Sequence, residues 1–172
     1  MKRLLLLRHA KSSWKAPDLA DFDRPLNKRG QKAAARMGRF LADEGLLPDS
    51  VLCSAARRAQ DTWKLAQDAL GYDIATKTYR SLYLASPARL LAVIRRQPAE
   101  LGTIMLVGHN PGIGTLVRRL AGPGSDSGAL AKVTEKYPTA ALAELLFEGD
   151  SWAALDVGAA RLERCVVPRD FD

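Results

Sequence analysis

Four apolar residues in a row, Leu4-Leu5-Leu6-Leu7, break at once into Arg8, His9 and Lys11. A run this short, ended by charge, predicts a buried β-strand that delivers polar side chains at its C-terminal end, where open α/β sheets place their ligands. The pattern returns twice. Residues 50–54 run Ser-Val-Leu-Cys-Ser into Arg57-Arg58, and residues 103–107 run Thr-Ile-Met-Leu-Val into the sharp turn Gly108-His109-Asn110-Pro111-Gly112. Residues 74–79, 141–147 and 161–167 predict three more strands, with Trp152 expected to pack between the last two.

Between these strands the apolar period lengthens to that of a helix. Asn27 is a good N-cap for a helix expected to reach about Gly45, with Ala33, Met37, Phe40 and Leu41 inward. Ala59, Thr62, Trp63, Ala66 and Leu70 mark a second helix ending near Gly71. Pro87 opens a third, through Leu90, Leu91, Val93 and Ile94, that stops before Pro98. Ile113, Leu116, Val117 and Leu120 mark a fourth. Residues 12–24, with Trp14, Pro17, Asp18, Asp21 and Asp23, keep no period and are expected to form a loop over the site. Residues 122–128 read as a flexible surface connection; no strand precedes them and no Lys-Ser or Lys-Thr follows, so they are not a P-loop. The alternation predicts an α/β fold, a single domain over residues 1–172 with a mainly parallel central sheet and helices on both faces.

Composition narrows the partners. At 172 residues and 47% hydrophobic, the chain has enough material for a sizeable core. Met1-Lys2-Arg3 followed by leucines imitates a signal peptide, but the apolar stretch stops at Arg8, and no other run is long enough to span a bilayer. With Cys53 and Cys165 far apart in apolar contexts, two reduced core thiols, a cytoplasmic location and no membrane partner are expected. The net charge of +7 suggests an anionic partner. The densest basic patch, Lys28, Arg29, Lys32, Arg36 and Arg39, lies on the first predicted helix and reads as a solvated face. Aromatics make up only 6% of the chain and are not interleaved with that patch, as nucleic-acid stacking would need.

The chain has two histidines, and each follows directly on a strongly apolar strand. In a parallel sheet these strand ends share an edge, so Arg8, His9, Arg57 or Arg58, and His109 are expected to converge on one dianion, with His9 as the reacting residue. Four ordered stretches then carry a resemblance: Leu7-Arg8-His9-Ala10-Lys11; Asp23-Arg24-Pro25-Leu26-Asn27 followed by Gly30; Ser54-Ala55-Ala56-Arg57-Arg58-Ala59-Gln60-Asp61-Thr62; and Val107-Gly108-His109-Asn110-Pro111. Together they resemble the signatures of the histidine phosphatase superfamily, of the phosphoglycerate mutase-like fold, and within it the SixA-like phosphohistidine phosphatases. The resemblance implies that His9 attacks phosphorus to form a covalent phosphohistidine. It selects Arg58 over Arg57, assigns Arg8, Arg58 and His109 to the phosphoryl oxygens, and calls for no metal and no cofactor. The partner implied is a phosphorylated protein or a small phosphorylated substrate.

The chain departs from the family pattern at several points. Ala10 stands where Arg-His-Gly is common, and Lys11 stands where many members have glutamate; Lys11 is a candidate substrate contact or a solvated loop lysine. Members acting on alkyl phosphates usually carry a glutamate as general acid, and the corresponding stretch, residues 79–83, offers Ser81 instead. A serine cannot protonate an alkoxide near neutral pH, whereas the imidazole leaving group of phosphohistidine is easily protonated. Phosphohistidine is therefore the expected substrate, with Asp18, Asp21 or Asp23 as candidate substitute acids. The alternatives are a phosphatase for small monoesters, a mutase, and a noncatalytic module that binds phosphoryl groups or nucleic acid.

Overall fold

In the computed structural model, which describes residues 1–172, the leucine run lies on β1 (Lys2–Arg8), in the interior of a six-stranded sheet. The other strands are β2 (Ser50–Ser54), β3 (Thr76–Tyr79), β4 (Thr103–Gly108), β5 (Leu142–Phe147) and β6 (Ala160–Val166), in the spatial order β3-β2-β4-β1-β5-β6. β1 pairs parallel with β4, β4 with β2 and β2 with β3, while β5 runs antiparallel to both β1 and β6. The sheet is thus mainly parallel, with β5 the one reversed strand.

The leucine run shows no polar alternation because both of its faces are covered. Leu4 and Leu6 join Leu52, Ile104 and Leu106 in a core beneath α3 (Pro87–Arg95), α4 (Gly112–Leu120) and α5 (Ser127–Glu135). Leu5 and Leu7 join Val51, Cys53, Met105 and Val107 in a second core beneath α1 (Lys28–Asp43) and α2 (Arg57–Leu70). All four leucines are fully buried, each contributing about 1.5–3 kcal/mol, so β1 is the apolar anchor of both layers.

The Asn27 side chain caps α1 by accepting from the Gly30 N–H at 2.8 Å. Gly30 also serves packing, since a Cβ there would come 2.0 Å from the Lys11 carbonyl oxygen. Its absence lets the start of α1 close on the backbone just past His9.

Three expectations need correction. Helix α5 occupies a stretch the pattern left without an element: its N-cap Asp126 lies inside the Gly- and Ser-rich connection, and its buried face is only Ala129 and Val133. The 122–128 connection therefore ends in a helix start. Trp152 does not lie between β5 and β6, which are bonded directly to each other. It sits in a 3-10 turn joining them, fully buried in the core with Leu90 and Leu155, and its Nε1 donates to the Leu101 carbonyl. β3 begins at Thr76 rather than at residue 74 and is an exposed edge. No helix is long and apolar enough to cross a membrane.

Candidate active site

The C-terminal ends of β1, β2 and β4 lie side by side, and the chain leaves each of them through a charged or histidine-bearing turn. His9 and His109 emerge beyond neighbouring strands with their rings 5.2 Å apart between centroids. Both are buried, as is Arg58 at the start of α2.

Nδ1 of His9 lies 2.7 Å from the Ala10 carbonyl oxygen. A carbonyl only accepts, so Nδ1 carries the proton and Nε2 keeps its lone pair. Burial lowers the His9 pKa to about 4 against the raising effect of that hydrogen bond, with Arg58, Arg8 and Arg24 adding to the fall. Near neutral pH the ring is neutral, with the Nε2 lone pair free. The turn that holds it is fixed in turn by Thr62, whose Oγ1 accepts from the Ala10 N–H at 2.9 Å and donates to the Arg58 carbonyl at 2.6 Å.

His109 is set by Ser54. The buried Ser54 hydroxyl shares a hydrogen bond with Nε2 of His109 at 2.8 Å, and its oxygen accepts from the Ala56 N–H at 3.3 Å. Nδ1 of His109 is buried and has no partner within the protein. Burial first, then the neighbouring His9 and Arg58, lowers the His109 pKa to about 3.

Arg8 donates through one terminal nitrogen to the Tyr137 carbonyl at 3.0 Å. Tyr137 is itself locked down, its hydroxyl donating to the Leu6 carbonyl at 2.5 Å and its carbonyl also accepting from Asn110 Nδ2 at 2.8 Å. The Nε atoms of Arg8 and Arg58 are buried without partners, like His109 Nδ1. Buried polar nitrogens rarely go unpaired. Two of them, Nε of Arg8 and Nε of Arg58, are guanidinium donors of the kind that pairs with phosphoryl oxygens, and Nδ1 of His109 is the third unpaired nitrogen beside the neutral His9.

Over these groups lies the loop that carries Asp21. Its carboxylate accepts from Arg58 at 3.0 Å and from Arg24 Nε at 3.1 Å, and the Tyr83 hydroxyl donates to it as well. Arg58 also donates to the Asp21 carbonyl at 2.7 Å. The hydrogen bond from Tyr83, followed by the two arginines, holds the Asp21 carboxyl down at about 2 despite some desolvation. Tyr83 stands edge-on to His109, with centroids 5.5 Å apart. Arg24 is buried, donates to Ser12 Oγ at 2.7 Å and stacks on Trp14, its guanidinium carbon 3.5 Å from the ring centroid.

The structure brings together His9, Arg8, Arg58 and His109. Arg57 points away and makes only a surface pair with Asp61 at 3.6 Å. Lys11 is exposed, and its side chain makes no hydrogen bond or ion pair. Ser81 is exposed; from its segment it is Tyr83 that reaches the site. Among the candidate acids, Asp18 and Asp23 stay on the exposed loop surface, and Asp21 is held as an ionised carboxylate. Sequence reasoning missed the supporting roles of Ser54, Thr62, Tyr83 and Tyr137. Ser54 and Thr62 lay within the quoted motif and could have been read as ligands of its neighbours. Tyr137 carried no local signal. No group of three or more His, Cys, Asp or Glu side chains is arranged to hold a metal ion.

The model of the histidine phosphatase superfamily (branch 1) matches residues 4–79. The uncharacterized protein Rv1276c of Mycobacterium tuberculosis is 38% identical over 165 residues, covering 95% of this chain and 100% of that protein. The crystal structure of a candidate phosphohistidine phosphatase SixA from Agrobacterium tumefaciens superposes with a TM-score of 0.79 at 32% identity, over 97% of this chain and 98% of that one. A second SixA candidate, from Nakamurella multipartitia, gives a TM-score of 0.82 at 30% identity, over 97% and 96%. With whole-length matches of this kind behind the site geometry, the chain belongs to the histidine phosphatase superfamily, in its SixA-like group.

Proposed function

We propose that this protein is a phosphatase that removes the phosphoryl group from phosphohistidine on a protein, through a covalent intermediate on His9. The observation that carries the reading is the state of His9: neutral, protonated on Nδ1, with Nε2 free beside two arginines and a second histidine. In the first step Nε2 forms a bond to phosphorus as the P–N bond of the substrate breaks, its electron pair returning to the leaving imidazole. The His9 ring becomes cationic in the phosphoenzyme, which strengthens its Nδ1–H bond to the Ala10 carbonyl. In the second step water attacks phosphorus, the pair returns to Nε2, and both water hydrogens leave on the phosphate, which sheds one to solvent. His9 is neutral again.

The transition state is loose and spreads charge over the equatorial oxygens, so most of the acceleration comes from positioned donors. The unpartnered nitrogens of Arg8, Arg58 and His109 take that part. The choice of phosphohistidine rests on the lack of a protonated acid near the nucleophile, since Asp21 is held ionised, and on the names of the Agrobacterium and Nakamurella proteins.

The test compares a phosphohistidine peptide with a phosphoserine peptide of matched sequence. The wild type hydrolyses the first at least tenfold faster in kcat/KM. An acid-labile, alkali-stable phosphoryl label appears in the wild type and is absent from His9→Ala, which melts like the wild type. Equal rates on the two peptides overturn the substrate, and activity in His9→Ala overturns the mechanism.

A further inference from the structure

The Asp21 carboxylate offers about four acceptor positions, of which Arg24 takes one on Oδ1 and Arg58 and Tyr83 take two on Oδ2. One position on Oδ1 stays open, and the Asp21 side chain is 43% exposed although the arginines it holds are buried. It is the acidic side chain paired with the clamp arginine, and it lies close enough to His109 to act on that ring's charge. At first sight this placement is adverse, because a carboxylate beside a phosphoryl site repels the incoming dianion.

The placement becomes useful if the leaving group is a cation. An N-phosphorylated imidazole loses its phosphoryl group with ease when its other ring nitrogen carries a proton. That N–H of the imidazolium is a donor, and it stands on the side of phosphorus away from the attacking nucleophile. We infer that Asp21 is a specificity-determining residue that accepts a hydrogen bond from the protonated leaving imidazole and favours phosphoramidate substrates with a cationic leaving group over phosphate esters. The inference rests on the proposed phosphohistidine phosphatase reading and names the leaving-group state it selects.

The chemistry balances without a proton from the enzyme. The substrate enters with its imidazolium N–H on Asp21, the P–N bond breaks toward the ring, and neutral imidazole departs with that proton still on its far nitrogen. An ester gains nothing from this arrangement. Its alkoxide or phenoxide leaves as an anion, next to a carboxylate with no proton to give.

The test measures kcat/KM for phosphoimidazole and for an activated aryl phosphate in the wild type, Asp21→Asn and Asp21→Glu. The readout is the ratio of the two values, which is independent of the fraction of enzyme that is folded. Loss of support to Arg58 lowers both values and cancels in the ratio. In Asp21→Asn the phosphoimidazole-to-aryl ratio is expected to fall at least tenfold, and Asp21→Glu, which keeps the charge, to recover most of it. An unchanged ratio overturns the inference and leaves Asp21 as a positioning residue for Arg58. A rise on both substrates overturns it as well and makes the carboxylate a competitor for the clamp. Failure of the wild type on phosphoimidazole and on a phosphohistidine peptide alike defeats the underlying reading instead.

Discussion

Holding two histidines neutral in a buried site has a stability consequence that can be worked out in advance. The unfolded chain protonates its histidines near pH 6.5, whereas the folded values lie at about 4 for His9 and about 3 for His109. As pH falls below about 6.5 the unfolded state takes up protons that the native state refuses, so the contribution is complete above the unfolded value and is lost on the way down to the folded ones. Between about pH 7.5 and about pH 5, each histidine removes about 2 kcal/mol, or about 4 kcal/mol together. Against a typical total of about 5–15 kcal/mol this is a large fraction. Urea unfolding at the two pH values, extrapolated to zero denaturant, measures it in the wild type and in His9→Ala. Carboxylates and other groups common to both proteins cancel in the comparison. His9→Ala is expected to lose about 2 kcal/mol less than the wild type on acidification. Identical pH dependence in the two proteins would refute the reasoning, as would a proton-resonance titration placing either histidine near 6.5.

Arg58→Ala is expected to cost about 2.7–4 kcal/mol of transition-state stabilisation, by analogy with the loss of one oxyanion donor. Arg57→Ala, which gives up only a surface pair worth at most about 1 kcal/mol, should leave kcat/KM nearly unchanged, and equal losses in the two variants would contradict the assignment. Full turnover is expected in excess EDTA; activity lost there and regained with Mg²⁺ or Zn²⁺ would count against the proposed chemistry. Gly30→Ala places a methyl group 2.0 Å from the Lys11 carbonyl, so a thermal melt should register at least about 1–3 kcal/mol of overpacking, together with a lowered kcat from the shifted turn after His9. A wild-type melt for that variant would mean that α1 is free to move away.

The groups that the structure gathers at the candidate site were legible because strand ends announce themselves. An apolar run broken by Arg8-His9, and another broken by His109, signal a sheet edge before any contact is known. Choosing Arg58 over its neighbour needed the motif, and the structure separates them by exposure, one buried and the other on the surface. Asp21 was legible only as one of three aspartates, because what distinguishes it is the convergence of Arg24, Arg58 and Tyr83, which come from three separate segments. Tyr137 was hidden for the same reason, its two useful contacts lying 129 and 131 residues away. The reversal of β5 left no mark in the sequence either. β5 is apolar apart from Glu144, which pairs with Arg3 and Arg164, and its pattern reads the same whichever way it runs, so hydropathy carries no direction.

The position of β1 in the sheet sets a problem of timing. It leaves the ribosome ahead of both strands it will pair with, since its parallel partner begins at Thr103 and its antiparallel partner at Leu142. At about 5–20 residues per second, roughly 5–20 s separate its synthesis from that of its first neighbour. During that interval four consecutive leucines emerge with two open edges, a segment prone to mispair with other nascent chains. Long-range pairing of this kind also slows folding after release, because the loop between partners must close before any contact rewards it. The charged residues at both ends of the run, Lys2 and Arg3 before it and Arg8 and Lys11 after it, are thus gatekeepers of the nascent strand as well as furnishings of the folded one. Neutralising Lys11, whose side chain makes no hydrogen bond or ion pair, would then lower soluble yield more than it lowers the stability of protein already folded. Neutralising Lys2, which donates to the Ala99 and Leu101 carbonyls, or Arg3, which pairs with the buried Glu144, would lower both.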